Sequence, residues 1–392
     1  MFLTLSIGAN IFLLTSTSQR IVTNARLSLQ SLYIAESGIE DALLRLKKGT
    51  SFTNPLLVSV GSGQAQTTIS DLIGGSRTIL ATGTLASRTR KVRAVYAIDS
   101  LTPSFFYGAH IGAGGLVMDN LSKVTGNVFS NGNIQASSGT QITGTATVAG
   151  ANTISSAVIG QDAYVESCVN SSVGGTLHAT TQSGCTFGSL TSSGLPISSV
   201  PLPISEAKID QWKQDALAGG VISGDYTLSG TQSATLGPKK IQGNLTLQNF
   251  AQLTLSGTLW ATGNINVGNS AEVRLAPSYG TLSGIVVSDG QTVLQNNSIS
   301  AGSTQQGSYL MYLSTSSLAQ AVVSKNNVTA DVLYASQGGV TVENNFQLRE
   351  ITGYSVHLKN SATITHDIGL QSATFVSGPA GGWRVQSWKE VE

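Results

Sequence analysis

Short apolar triplets that return at fixed distances after polar turns constrain this chain more than any other feature. Leu-Thr-Leu occupies 245–247 and again 253–255, followed by Leu-Trp-Ala at 259–261, Ile-Asn-Val at 265–267 and Val-Arg-Leu at 273–275. Gly243-Asn244-Leu245 reappears as Gly263-Asn264-Ile265, twenty residues on. The series continues with Ile-Val-Val at 285–287, Thr-Val-Leu at 292–294, Val-Leu-Tyr-Ala at 332–335, Val-Thr-Val at 340–342, Phe-Gln-Leu at 346–348 and Ala-Thr-Ile at 362–364. Strand centres lie six to twelve residues apart, and about every third one returns after 20–22. That is the period of a three-sided parallel β-helix. A turn of this kind holds too few apolar side chains to fold alone, so turns must stack, about 4.8 Å apart, around a shared interior.

The first half repeats more tightly. Ile159-Gly160, Val173-Gly174 and Phe187-Gly188 recur at 14. Fourteen is not a multiple of six, which argues against a left-handed hexapeptide helix and for a right-handed one with variable coils. Ala146, Ala163 and Ala179 suit a narrow interior. Asparagines at turns (Asn127, Asn133, Asn244, Asn264, Asn296, Asn327, Asn345, Asn360) tolerate left-handed backbone and can ladder their amides from coil to coil. That role is structural.

Composition agrees. Charged residues make up 10% against roughly 25% in ordinary soluble domains. With 40% apolar residues and a net charge of +1, the chain is not of the disordered class. Residues 1–100 carry ten Lys/Arg and five Asp/Glu, the remainder eleven and fifteen, so a basic front precedes a mildly acidic body. A basic front fits anionic lipid, a neighbouring subunit or a plain solvated face; nothing is dense enough for nucleic acid.

The front is helical. Residues 2–14, Phe-Leu-Thr-Leu-Ser-Ile-Gly-Ala-Asn-Ile-Phe-Leu-Leu, are apolar but fall short of the roughly 20 needed to span a bilayer. No basic stretch precedes them, so the run reads either as a buried helix end or as the remainder of a longer membrane segment, and the second is expected. Ile21, Ala25, Ser28, Leu32, Ala35, Ile39, Ala42 and Leu46 then follow at alternating spacings of four and three, one narrow seam along a helix. Lys47, Lys48 and Gly49 supply the stop. A helix to residue 48 is about 70 Å long at 1.5 Å per residue, more than the chain's own core needs. Its natural use is assembly; the plainer reading is a lid on the repeat region.

Three segments complete the layout of 1–50 (helix), 51–105, 106–195 (short coils), 196–220, 221–376 (20–22-residue coils) and 377–392. Thr78–Leu85 and Lys91–Ile98 alternate as a hairpin, so 51–105 reads as a small antiparallel sheet backed by the helix. Pro196, Pro201 and Pro203 interrupt the repeats, and Ser205 caps a short amphipathic helix with Ile209, Trp212 and Ala216 on its apolar face and Gly219-Gly220 at its stop. Trp383 and Trp388 in the last segment are expected to cover the open end of the final coil. Cys168 and Cys185 are either one bridge or two small buried side chains.

The stretch Ser31–Leu46 resembles the end of the N-terminal helix of PilX-type minor pilins of type IV pili, through Tyr33, Ala35, Glu36, Gly38, Glu40 and Leu43. The resemblance covers about the first fifty residues; the repeats are loosely similar to polymer-forming bactofilin-type coils. It implies a membrane-anchored, extracytoplasmic subunit that packs against other pilin-like subunits through its helix, at the cytoplasmic membrane and then at the cell surface. It implies a body displayed as a stalk or an adhesive face toward surface glycans or a host or neighbouring cell. Residues 1–10 contain neither a basic residue nor a Glu, so the family's leader-peptidase site is not among them.

The competing class is a polysaccharide-binding or polysaccharide-degrading β-helix protein. Glycoside hydrolysis needs two carboxylates about 5–10 Å apart, and register makes Asp331 with Glu350, or Glu272 with Asp289, the candidate neighbours. Neither pair has a third acid. His110, His178, His357 and His366 show no metal-ligand spacing, only a loose pairing of the last two. The expectation is a non-enzyme without cofactor or metal.

Overall fold

The computed structural model describes residues 2–48, 53–70, 76–98, 105–191, 197–373, 375 and 383–391. Its chain divides into two compact units, Met1–Ile98 with Trp383–Glu392, and Asp99–Gly382. The expected stop glycine Gly49 and Pro196 lie outside the described residues.

In the first unit, helix α1 (Phe2–Lys48) lies on an antiparallel sheet of β1 (Leu56–Val60), β2 (Gly63–Ile69), β3 (Ser76–Leu85), β4 (Arg88–Ile98) and β5 (Trp383–Val391), paired in that order. Alternation along the strands turns Ala65, Thr67 and Ile69, Ile79 and Ala81, and Val92, Ala94 and Tyr96 inward against Ala35, Ile39 and Ala42 of the helix. Small residues set the separation of the two layers. A Cβ on Gly38 would stand 2.6 Å from Thr67 Oγ1 and 2.9 Å from Ala65 Cβ, and one on Gly83 would run into the helix backbone at Ser31 and Ala35. Backbone cannot step aside as a side chain can, so Gly83 is the tightest requirement of this interface.

Strand β5 corrects the expectation for the C-terminus. Trp388 pairs with Ala94 and Val391 with Lys91, antiparallel, and Glu390 meets Arg90 across the strands. The segment closes the edge of the first unit's sheet, not the end of the repeat region. Its alternating sequence matches β4, whose outer edge would otherwise stand unpaired.

The second unit is β-rich and parallel throughout, with three files of strands. The first runs through Val221–Ser223, Lys239–Gln242, Leu259–Ala261, Gly284–Ser288 and Leu310–Ser314 into the starts of Val332–Val342 and Glu350–Leu358. The second takes Tyr226–Leu228, Leu245–Leu247, Ile265–Val267, Thr292–Leu294 and Val322–Ser324 into the later halves of the same two long strands. The third links Ser233–Leu236, Gln252–Leu255, Glu272–Leu275 and Ile299–Ala301, by bridges at Thr329, to Gln347–Leu348 and Thr363–Thr365. Leu245 pairs with Ile265 and Ile159 with Val173, the twenty- and fourteen-residue returns of the sequence.

The order of stacking differs from the order of the chain. Glu350–Leu358 pairs with Ala109–Met118, and Thr363–Thr365 with Lys123–Thr125. From there the files continue through Val128–Ser130 and Ala146–Val148 to Ser172–Ser183 and Thr186–Thr191. The first half is thus laid on the last strands of the second half. The chain enters and leaves this unit in mid-stack, where the rings of Phe105 and Phe375 meet at 5.9 Å.

Two local rules hold the stack in register. At the corner between the second and third files every rung has one left-handed residue, from Gly230, Phe250, Ser270 and Asn297 to Asn170 and Gly184. Asparagines just before that corner ladder their amides: Asn269 Nδ2 donates to Asn249 Oδ1, Asn326 Nδ2 to Asn296 Oδ1, and Asn344 Nδ2 to Asn326 Oδ1, at 3.1–3.3 Å. Asn327 and Asn345 take the left-handed turns expected of turn asparagines, while the ladder runs through their preceding neighbours and not through them. At the opposite corner Asn244 Oδ1 accepts from Asn264 N and Asn264 Oδ1 from Gln291 N, both at 2.8 Å. A Cβ on Gly263 or Gly290 would collide with the accepting oxygen below, which is why the turn reads Gly-Asn.

Helix α2 (Glu206–Ala218) follows the interruption. Ile209, Trp212 and Ala216 are buried as the sequence implies, while the Ser205 side chain makes no capping bond. These residues join Ile285, Val287, Met311, Leu313, Val332 and Tyr334, which face outward from the first file. From Gly284–Ser288 onward both sides of that file are therefore buried, the inner side in the main core.

Candidate assembly surface

The expected seam on α1 splits in two. Ala35, Ile39 and Ala42 are fully buried against the unit's own sheet, with Leu32 and Leu46 packed beside them. Ile21 and Ala25 are exposed and Ser28 half-buried. The reading of one continuous seam free for neighbours is corrected from residue 32 onward. Sequence carried a signal of this split: Ser31, Ala35, Gly38 and Ala42 are small residues at helical spacing, and small residues mark where a backbone must come close. Within the motif of Tyr33, Ala35, Glu36, Gly38 and Glu40, only Ala35 and Gly38 face the sheet. Tyr33 and Glu40 are exposed and Glu36 is half-buried.

Between residues 11 and 29 the helix shows apolar side chains that no described residue of its own unit covers. Phe12 is 74% exposed, Val22 67% and Ile21 62%, and Ile11, Leu13, Leu14 and Leu29 are exposed with them. Thr15 and Thr17 return their hydroxyls to the carbonyls of Ile11 and Leu13. Among the described residues no helix is long and apolar enough to cross a membrane. Where the helix meets the sheet it is pinned: Ser31 Oγ donates to Arg88 O at 2.9 Å and Arg88 Nη2 to Asn24 Oδ1 at 2.6 Å.

The candidate acids fall into different settings. Asp331 and Glu350 do lie on adjoining rungs, with Glu350 N donating to Asp331 O at 3.1 Å. The Asp331 carboxylate is committed, accepting from Gly302 N, Leu310 N and Arg349 Nε at 2.8–2.9 Å. Burial pushes Asp331 up, and Glu350, fully buried with only the Thr352 hydroxyl at 2.6 Å, well above the usual carboxylate range. Neither reaches solvent. Glu272 and Asp289 are not neighbours: Glu272 sits on the third file opposite Gln252 and Ile299, whereas Asp289 bonds Lys213, Trp260 and Thr315 beside the first.

His357 meets Asp119 at 2.8 Å, and His366 is half-buried. His110 is enclosed by Tyr107 and Phe129, and burial pushes it down to about 4. His178 stacks flat on Tyr164 at 4.2 Å. Among the described residues no three His, Cys, Asp or Glu side chains converge on a common point. Cys168 and Cys185 form a disulfide with Cα atoms 6.4 Å apart.

No protein-family model matches the chain, and no curated protein matches it. Among solved structures it is similar to the competence-associated pilin ComZ from Thermus thermophilus, at 11% identity and a TM-score of 0.30, over 93% of this chain and 97% of that one.

Proposed function

We propose that this chain is a pilin-like structural subunit of a cell-surface filament. The half of α1 before residue 30 packs among the helices of neighbouring subunits and meets the cytoplasmic membrane before assembly. The second unit is carried as a right-handed parallel β-helix, a displayed stalk or binding face that performs no chemistry of its own. The observation that carries this reading is the contrast along a single helix: Ala35, Ile39 and Ala42 buried, Phe12, Ile21 and Val22 bare. A water-exposed apolar stripe of that length is unfavourable by about 25 cal/mol per Å². It calls for a partner of the same kind, and a helix with a seam most readily meets another helix. The disulfide between Cys168 and Cys185 fits an oxidising, extracytoplasmic site.

The direct test places a photo-crosslinking residue at Phe12 or Val22 in the native host and compares it with one at Glu40. Adducts to other pilin-like subunits from the first two positions are expected. A chain that is recovered monomeric from the cell surface, with no adduct from either position, overturns the assignment.

A further inference from the structure

On the outer side of the second file an open groove of about 500 Å³ is lined by Thr246, Gln248, Asn249, Asn266, Asn269 and Gln295. We infer that this groove, with Phe250 at its corner, binds a neutral glycan strand. No Lys, Arg, His, Asp or Glu lines it. Its amides are only half used. Asn249 Oδ1 accepts from Asn269 and Asn266 Oδ1 from Gln295 Nε2, which leaves the other end of each of these four amides without a partner among the described residues. Among the described residues Gln248 finds no partner for either end of its side chain. Whichever way each amide is turned, the groove offers donors and acceptors side by side and no charge. That inventory matches vicinal hydroxyls, each of which donates and accepts. It does not match phosphate, carboxylate or ammonium groups, which need opposite charge. Rungs about 4.8 Å apart set Asn249 and Asn269 one above the other at close to the length of one hexose unit, so an extended strand can meet equivalent amides on these two rungs.

Phe250 is the second, independent observation. It occupies the left-handed corner at φ 67°, where neighbouring rungs place Gly230, Ser270 and Asn297, and its ring is 61% exposed. A bulky residue there is strained, and its ring joins no apolar cluster. The side chain thus costs conformational energy and contributes nothing to the interior. It directly follows the lining residue Asn249, so a glycan that leaves the groove at this corner would meet an exposed aromatic face of the kind on which the C–H side of a pyranose rests. The inference concerns what the displayed unit takes up and does not depend on how subunits assemble.

The test uses the full chain in detergent, with cellohexaose and chitohexaose as probes, read by ligand-observed NMR and calorimetry. Saturable binding of at least one probe is expected, weakened tenfold or more by Phe250→Ala and by the double variant Asn266→Ala/Gln295→Ala. Phe250→Gly relieves the backbone strain, so it loses binding while the melting temperature holds or rises; this separates loss of the site from loss of the fold. Leu121→Asn, a bulky left-handed corner residue on a distant rung, leaves binding unchanged. Absence of binding by both probes, undiminished binding by Phe250→Ala, or capture of an extended peptide in place of either glycan overturns the inference.

Discussion

Ile21 and Ile39 belong to the same expected seam and to the same helix, yet one is 62% exposed and the other fully buried. Truncating each to alanine therefore separates assembly from folding. For Ile39→Ala the lost transfer energy and the cavity beside Ile79, Ala81 and Val92 should cost about 3 kcal/mol. For a unit of this size, at roughly 4–8 °C per kcal/mol, the melting temperature should fall on the order of 15 °C. Ile21 is mostly exposed in its own unit, and Ile21→Ala should stay within about 0.5 kcal/mol of the parent. In a filament the order reverses. Burying an isoleucine side chain is worth about 1.5–3 kcal/mol, most of which Ile21 has still to gain. Its truncation should weaken each subunit contact by roughly 1–2 kcal/mol, about tenfold in affinity. Thermal melts of the detergent-solubilised protein measure the first quantity, and the yield of subunit in sheared surface filaments measures the second. If Ile21→Ala melts as early as Ile39→Ala, or enters filaments as well as the parent, the division of α1 into docked and free halves is wrong.

Three further outcomes follow from the second unit. Gly263→Ala should cost about 1 kcal/mol by forcing Asn244 Oδ1 off Asn264 N, and most of that cost should vanish in an Asn244→Ala background; equal costs in both backgrounds, measured by denaturant unfolding, would refute the Gly-Asn rule. Replacing both Cys168 and Cys185 by serine should lower stability by about 2–4 kcal/mol, and a reducing agent should lower the parent's melting temperature while leaving the variant's alone. The buried titratable groups act in opposite directions. His110, pushed down to about 4 from 6.5, makes the unfolded chain bind more protons between those values, so stability falls as pH drops from 6.5 toward 4, and His110→Phe flattens that limb. Glu350, raised by burial, makes the folded chain hold its proton more tightly, so stability falls as pH rises above 4.5, and Glu350→Gln should gain on the parent at neutral pH and match it in acid.

The repeats were legible because their cause is local. Each Gly-Asn turn and each apolar triplet is dictated by the rung beside it, so Leu245 with Ile265 and Ile159 with Val173 could be paired from spacing alone. Helix α2 was legible through Ile209, Trp212 and Ala216, all buried as their spacing implies. The order of the stack was not. Ile351 on Ala109 is an apolar pair like any other in the files, and nothing in either strand distinguishes that junction from an unmade one. The fate of Trp388 was hidden for the same reason: an alternating strand fits an antiparallel edge and an open coil end equally well, and only the free edge of β4, far away in sequence, decides. On α1, spacing located the seam, but whether Ile21 or Ile39 met the chain's own sheet depended on Gly38 and Gly83, whose meaning appears only when helix and strand are brought together. The candidate acids failed at the step where burial is decided. Asp331 and Glu350 are as near as register implied, and both are sealed from water.

Because the polypeptide joins the parallel stack at its waist, with Phe105 beside Phe375, the chain neither enters nor leaves at a tip, and the two tips are linked only to each other, through residues 192–220. Rungs can be gained or lost at Thr186–Thr191 or at Val221–Ser223 without shifting the point where the two connecting segments depart. Reach in either direction can thus drift while the points of entry and exit stay put. The same layout carries a penalty during synthesis: Ala109–Met118 emerges early and must wait, edge bare, until Glu350–Leu358 has been made.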